Sequence, residues 1–105
     1  MPWVKVAKTS EVADGEIKPF DLENRKIAIT RVGREFFAID DTCTHAQCSL
    51  GEGSLIDYEV ECPCHGSRFD VTDGSVRILP ATVPIKTYKL KVEGDDILVE
   101  ITENA

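Results

Sequence analysis

With 105 residues, of which 42% are hydrophobic and 30% charged, the chain has the make-up of one soluble globular domain with a modest core. Its longest apolar run, Phe36 to Ile39, has four residues, against the roughly 20 that a membrane span needs, which argues against a membrane protein. A net charge of −7 argues against nucleic acid and anionic membrane surfaces as partners. The opening Met1-Pro2-Trp3-Val4-Lys5 lacks the basic head, apolar stretch and small-residue cleavage site of a secretory signal, so a cytoplasmic location is expected. Stable disulfides are rare there, and the four cysteines read first as metal ligands or redox groups.

In chain order, Trp3 to Ala7 is β-prone and reads as a first strand. Thr9-Ser10-Glu11-Val12 can cap at most one helical turn, and Asp14-Gly15 is a turn. Ile17 to Leu22 is expected at a sheet edge, because Pro19 cannot donate to a central ladder. Lys26 to Val32 and Glu35 to Asp40 form a hairpin in outline, joined at Gly33-Arg34. Glu59 to Cys62 and Arg68 to Val71 look like short strands, followed by a turn at Thr72-Asp73-Gly74 and a rigid connector from Leu79 to Pro84. Tyr88, Leu90 and Val92 then alternate with charged residues, Gly94-Asp95-Asp96 turns, and Ile97, Val99 and Ile101 alternate on the return. That pattern predicts a terminal hairpin with one buried face. No segment has a persuasive helical period, and the fold class is all-β: a barrel or sandwich with a loop-rich insertion in its middle. The expected division is a basal β-domain of about residues 1–41 and 82–105 around a smaller subdomain of about 42–81.

The insertion holds the chemistry. Both histidines and all four cysteines lie in Cys43-Thr44-His45-Ala46-Gln47-Cys48 and Cys62-Pro63-Cys64-His65-Gly66-Ser67. Cys43-x-His45 and Cys62-x-x-His65 each put one thiolate and one imidazole on a loop, with sixteen residues between the pairs. Two sites suit these donors: a tetrahedral Cys2His2 zinc site, or a 2Fe-2S cluster with two cysteines on one iron and two histidines on the other. Zinc fingers usually place like with like, whereas here each loop supplies one of each. Between Asp40 and Asp73 there are eight acids and one base, Arg68, so the entire net charge sits on this segment. It is either a solvated acidic face or a docking rim.

Cys-Thr-His-Ala-Gln-Cys together with Cys-Pro-Cys-His-Gly-Ser resembles the paired motif of the Rieske family. The flanks, with Leu79-Pro80-Ala81 in the place of a proline loop, are similar to the soluble Rieske ferredoxins of multicomponent ring-hydroxylating oxygenases. The resemblance implies one 2Fe-2S cluster, with Cys43 and Cys62 on one iron and His45 and His65 on the other. It implies a one-electron carrier, not an enzyme, working between a ferredoxin reductase and a terminal oxygenase. Two ferric ions, two sulfides, two thiolates and two neutral imidazoles sum to zero charge, and one electron makes −1. Neutral imidazoles in place of thiolates raise the potential, to a range of about −150 to +300 mV. The alternatives are a Rieske small subunit of another redox enzyme, such as a nitrite reductase, or a structural zinc module.

Cys48 and Cys64 are either two free thiols or, as the resemblance to the Rieske proteins of cytochrome bc complexes implies, a disulfide that ties the cluster loops together. In those high-potential relatives, hydroxyls at the positions of Ser67 and Phe69 donate hydrogen bonds to cluster sulfurs and so raise the potential. This chain keeps the serine and has no tyrosine hydroxyl at Phe69. The implied potential lies between the low ferredoxin type and the bc type. Leu50 and Pro80 are candidates for shielding the site from water.

Overall fold

The computed structural model of the chain describes residues 3–22, 25–44, 48–64 and 66–101. His45 and His65 fall outside them. Among the described residues eleven strands run in chain order: β1 (Trp3–Lys8), β2 (Ile17–Leu22), β3 (Arg25–Val32), β4 (Glu35–Asp40), β5 (Ser54–Ile56), β6 (Glu59–Glu61), β7 (Arg68–Asp70), β8 (Val76–Ile78), β9 (Thr87–Tyr88), β10 (Leu90–Glu93) and β11 (Asp96–Glu100). Two single 3-10 turns, Thr9–Glu11 and Leu50–Glu52, are the helical elements among the described residues. Neither is long or apolar enough to cross a membrane.

The strands make three antiparallel sheets, ordered β1-β11-β10, β2-β3-β4-β9 and β5-β6-β7-β8. The second lies centrally and is covered on both faces. In β3, Ile27 and Ile29 turn towards the β1-β11-β10 sheet and pack with Val12, Ile97 and Val99. Ala28, on the opposite face, packs with Ile39, Leu50, Val60 and Phe69. A strand buried on both faces reads as a continuous apolar run, which accounts for Ile27-Ala28-Ile29 and for Phe36 to Ile39. β2 lies at the edge of its sheet, with Pro19 opposite Ala28. The β3–β4 hairpin closes with Val32 opposite Glu35, and the left-handed φ of +64° at Gly33 opens the two-residue turn.

The terminal hairpin departs from the sequence pattern. Tyr88 and Leu90 are not in one strand: β9 pairs with β4, whereas β10 pairs with β11, so the chain passes from one sheet to the other at Lys89. The predicted buried face is realised on β11, where Ile97 and Val99 are fully buried, but Val92 on β10 is exposed. The alternation that looked like one long strand is two short ones serving different sheets. Two strands gave no signal in the sequence, β5 and β8. Each has three residues and exists because of its neighbours.

Between β4 and β9 lies the insertion, whose own sheet is β5-β6-β7-β8. Tyr58 on the β5–β6 turn donates to the Glu35 carboxylate at 2.8 Å and meets Phe37 edge-on, with ring centroids 5.9 Å apart. The Glu35 contact pushes the Tyr58 phenol pKa up, first by its hydrogen bond and then by its charge. At the other end, Tyr88 donates to Asp40 and accepts from Arg25 at 3.2 Å. Burial, then the Asp40 contact, pushes its phenol up to about 12.

Candidate metal centre

Three loops meet above the central sheet. The first runs from the end of β4 to the Leu50–Glu52 turn and is closed as a hairpin. Thr42 and Ser49 form a β-bridge, and the Cys43 amide donates to the Cys48 carbonyl at 2.9 Å. Asp41, only 2% exposed, anchors its return: its carbonyl accepts the Leu50 amide at 2.6 Å, and its carboxylate accepts the Gly51 amide at 2.7 Å. Gly51 must be glycine, because a Cβ there would come within 2.6 Å of the Pro19 nitrogen on β2. The loop is thereby pressed onto the basal sheet.

The second loop is the tip of the β6–β7 hairpin. The Cys62 amide donates to the Ser67 carbonyl at 2.8 Å, and the Gly66 amide returns to the Cys62 carbonyl at 3.1 Å. The third is the connector after β8, and it is latched to the other two. Thr44 on the first loop donates its hydroxyl to the Val83 carbonyl at 2.7 Å. Ser67 on the second accepts the Ala81 amide at 3.0 Å. An accepting hydroxyl keeps its own hydrogen for another partner, so the fully buried Ser67 can still donate.

The four cysteines sort into two kinds. Cys48 and Cys64 are joined as a disulfide between the first and second loops, with Cα atoms 6.4 Å apart, Cys64 exposed and Cys48 half-buried. Cys43 and Cys62 stand outside it, each 1% exposed, in the apolar cluster that includes Leu50, Val60 and Phe69. Loops tied twice over, with one buried thiol on each, suit a group that needs two thiolates from two directions. The two sulfurs in the disulfide cannot act as thiolate ligands, which excludes a four-cysteine cluster on this arrangement. The two imidazoles expected from the sequence, His45 and His65, lie outside the described residues.

Phe69 is completely buried opposite Val60. Of the two residues suggested as shields, Leu50 is completely buried, whereas Pro80 is exposed together with Leu79 and Val83. The acidic segment also divides. Asp40 and Asp41 are spent on Tyr88 and on the loop anchor. The other six acids lie on or beside the β5-β6-β7-β8 sheet, where Arg68 reaches Glu59 at 3.9 Å and Glu61 at 3.8 Å, and Arg77 reaches Asp70 at 3.5 Å. Asp73 has its pKa lowered by the Ser75 amide first and the Ser75 hydroxyl next, so it keeps its charge in this rim. Thr44, Asp41 and Tyr58 were not singled out in the sequence. Each is an ordinary polar residue whose partner lies at least ten positions away.

The Rieske [2Fe-2S] domain model matches residues 2–89. The chain belongs to the Rieske [2Fe-2S] domain family. It is 43% identical over 101 residues to the ferredoxin component of biphenyl 2,3-dioxygenase from Rhodococcus jostii, covering 96% of this chain and 94% of that one. The ferredoxin of carbazole 1,9a-dioxygenase from Nocardioides aromaticivorans superposes with a TM-score of 0.92 at 33% identity, covering 97% of this chain and all of the other. A ferredoxin seen in complex with the reduced oxygenase of carbazole 1,9a-dioxygenase superposes at 0.89 with 36% identity, covering 93% and 92%. The cofactor of this Rieske domain is a 2Fe-2S cluster, and the donor chemistry of the two loops fits it. These relatives are electron-transfer components of oxygenase systems, not the catalysts in them.

Proposed function

We propose that the chain is a one-electron carrier that receives electrons from a ferredoxin reductase and passes them to a terminal oxygenase in the cytoplasm. The observation that carries the reading is the sorting of the cysteines: two buried thiols on facing loops, and the other two engaged with each other. Cys43 and Cys62 would hold one iron and His45 and His65 the other. When bound, such a cluster supplies reversible one-electron redox chemistry. The protein's part is to orient and insulate. Asp41, Thr44 and Ser67 fix the three loops relative to one another, Leu50 and Phe69 exclude water from below, and the Ser67 hydroxyl is available to donate towards a cluster sulfur.

Partners would approach from the loop side, where exposed Leu79 and Val83 border the latched connector. Electron-transfer encounters are small and short-lived, so long-range attraction contributes mainly to their rate. The acid rim suits partners with basic docking faces, and its effect falls with ionic strength.

The test is reconstitution with the reductase and oxygenase of an aromatic-ring dioxygenase system. Purified protein should be coloured and bleach on reduction, and substrate-dependent oxygen uptake should require it. Uptake that proceeds equally without the chain ends the carrier reading. Reduction of the chain by the reductase should slow several-fold between low and high salt, and a rate independent of salt removes the steering role of the rim.

A further inference from the structure

Three of the four cysteine sulfurs, those of Cys48, Cys62 and Cys64, lie within 4.8 Å of one another. The Cys43 sulfur is not part of that group, although the Cys43 thiol is as deeply buried as that of Cys62. A thiol lying beside a disulfide is the arrangement from which thiol–disulfide exchange proceeds, needing no external oxidant or reductant. Cys62 is therefore more than a candidate ligand: it is next to a bond that it can attack.

We infer that Cys48, Cys62 and Cys64 form an internal thiol–disulfide exchange site that competes with cluster loading. The Cys62 thiolate attacks the Cys48 sulfur, the Cys48–Cys62 bond forms as the Cys48–Cys64 bond breaks, and the bonding electron pair leaves on the Cys64 sulfur. That sulfur takes a proton from water, replacing the one lost by Cys62, so one disulfide and one thiol remain throughout. Attack at Cys48 has two features that attack at Cys64 lacks. The new bond still ties the first loop to the second, and the displaced sulfur is the exposed one, with room to leave. A Cys62–Cys64 bond would instead span a single intervening residue and untie the loops.

The consequence concerns assembly. In the exchanged form a thiolate of the proposed ligand set is consumed, and a reactive thiol appears at the surface on Cys64. An external dithiol or small-molecule thiol can reach that position. The inference rests on the cluster reading for what keeps Cys62 from exchanging in the loaded protein, namely that iron holds it.

The experiment uses the full chain in three forms: loaded wild type, Cys43→Ser and Cys62→Ser. Neither variant can complete the proposed ligand set, so both are free of cluster without chemical stripping. Each is treated with iodoacetamide under native conditions, quenched in acid, and digested without reductant for mass spectrometry. Circular dichroism first checks that the sheets have formed. Cys43→Ser is expected to give a Cys48–Cys62 linked peptide, and Cys64 alkylation several-fold above that of loaded wild type. Cys62→Ser should keep Cys48–Cys64 alone, with Cys64 protected.

If Cys43→Ser shows only Cys48–Cys64, the inference is overturned. Equal Cys64 labelling in both variants also overturns it, because the label then reports plain reduction of the disulfide. Should Cys43→Ser fail to fold, wild-type chain stripped of iron replaces it, and bonds to Cys43 there would show indiscriminate scrambling and end the idea. Iron analysis of loaded wild type keeps the two readings apart. An iron-free, colourless protein breaks the cluster reading and leaves the contrast between the variants standing.

Discussion

The central sheet has an apolar core on each face, and the two cores are built from similar side chains but held in different ways. Towards β1-β11-β10, Val12, Ile27, Ile29, Ile97 and Val99 are completely buried between strands of up to eight residues, in ladders broken by one register shift, between Lys5 and Ala7 of β1. Towards the loops, Leu50, Val60 and Phe69 are equally buried, yet they sit on a single 3-10 turn and two three-residue strands that lean on individual side-chain bonds. Asp41, Thr44, Ser67 and Tyr58 each hold one segment, and the disulfide holds two loops together. One side is held by area removed from water, which is nondirectional and tolerant of small shifts. The other is held by directional bonds, which fix positions. A redox cluster needs fixed positions, and the latches of Asp41, Thr44 and Ser67 lie on the loops that carry Cys43 and Cys62, the proposed thiolate ligands.

The sharpest test of this division is a substitution on the basal side. Ile29→Ala should cost about 2–5 kcal/mol, the usual range for emptying a buried Ile site. Urea denaturation measures it, and the absorption spectrum and midpoint potential of the folded fraction should not move. A potential that shifts along with stability would mean that the two cores are not separable.

The loop anchor should behave in the opposite way. Asp41→Ala leaves the Gly51 amide without its acceptor in a buried setting, which costs about 1–3 kcal/mol. Because Asp41 lies two residues before Cys43, the change should also alter the electron paramagnetic resonance spectrum of the reduced protein. Asp41→Asn keeps an acceptor oxygen and should restore most of both. An alanine variant with lowered stability but an unchanged spectrum would reduce Asp41 to a structural tether with no influence on the site.

The same contrast explains what could be read from the sequence. Long strands with one or two buried faces announce themselves, as Ile17 to Leu22, Lys26 to Asp40 and Ile97 to Val99 did. Among the short strands, β6 and β7 were legible as Glu59 to Cys62 and Arg68 to Val71, whereas Ser54-Leu55-Ile56 and Val76-Arg77-Ile78 were not, because they become strands only when β6 and β7 are beside them. The break at Lys89 was hidden for a related reason: alternation continues through it while the partner strand changes from β4 to β11. At the site, residue type and spacing pointed to the ligand candidates, since thiols and imidazoles have few other uses in such density. Asp41 and Thr44 were invisible because aspartate and threonine are common in loops, and only the fold shows that their partners are Gly51 and Val83.

The smallest expected effects concern potential. Ser67 is completely buried, accepts from Ala81, and keeps a hydrogen to donate. A hydrogen bond to a cluster sulfur strengthens when an electron adds negative charge, so it favours the reduced form. If the preference is about 1 kcal/mol, it corresponds to roughly 40 mV at about 59 mV per tenfold for one electron. Ser67→Ala should therefore lower the midpoint by that order. It should also loosen the connector, because the Ala81 amide loses its acceptor. Phe69→Tyr adds a hydroxyl in the same wall and should raise the midpoint by a similar or smaller amount. Phe69 is packed without exposure opposite Val60, so a hydroxyl that found no acceptor would instead lower stability by about 1–3 kcal/mol. Protein-film voltammetry and thermal melts on the pair separate these outcomes: a melt shift with no change of potential in either variant would leave Ser67 as a latch for Ala81 and nothing more.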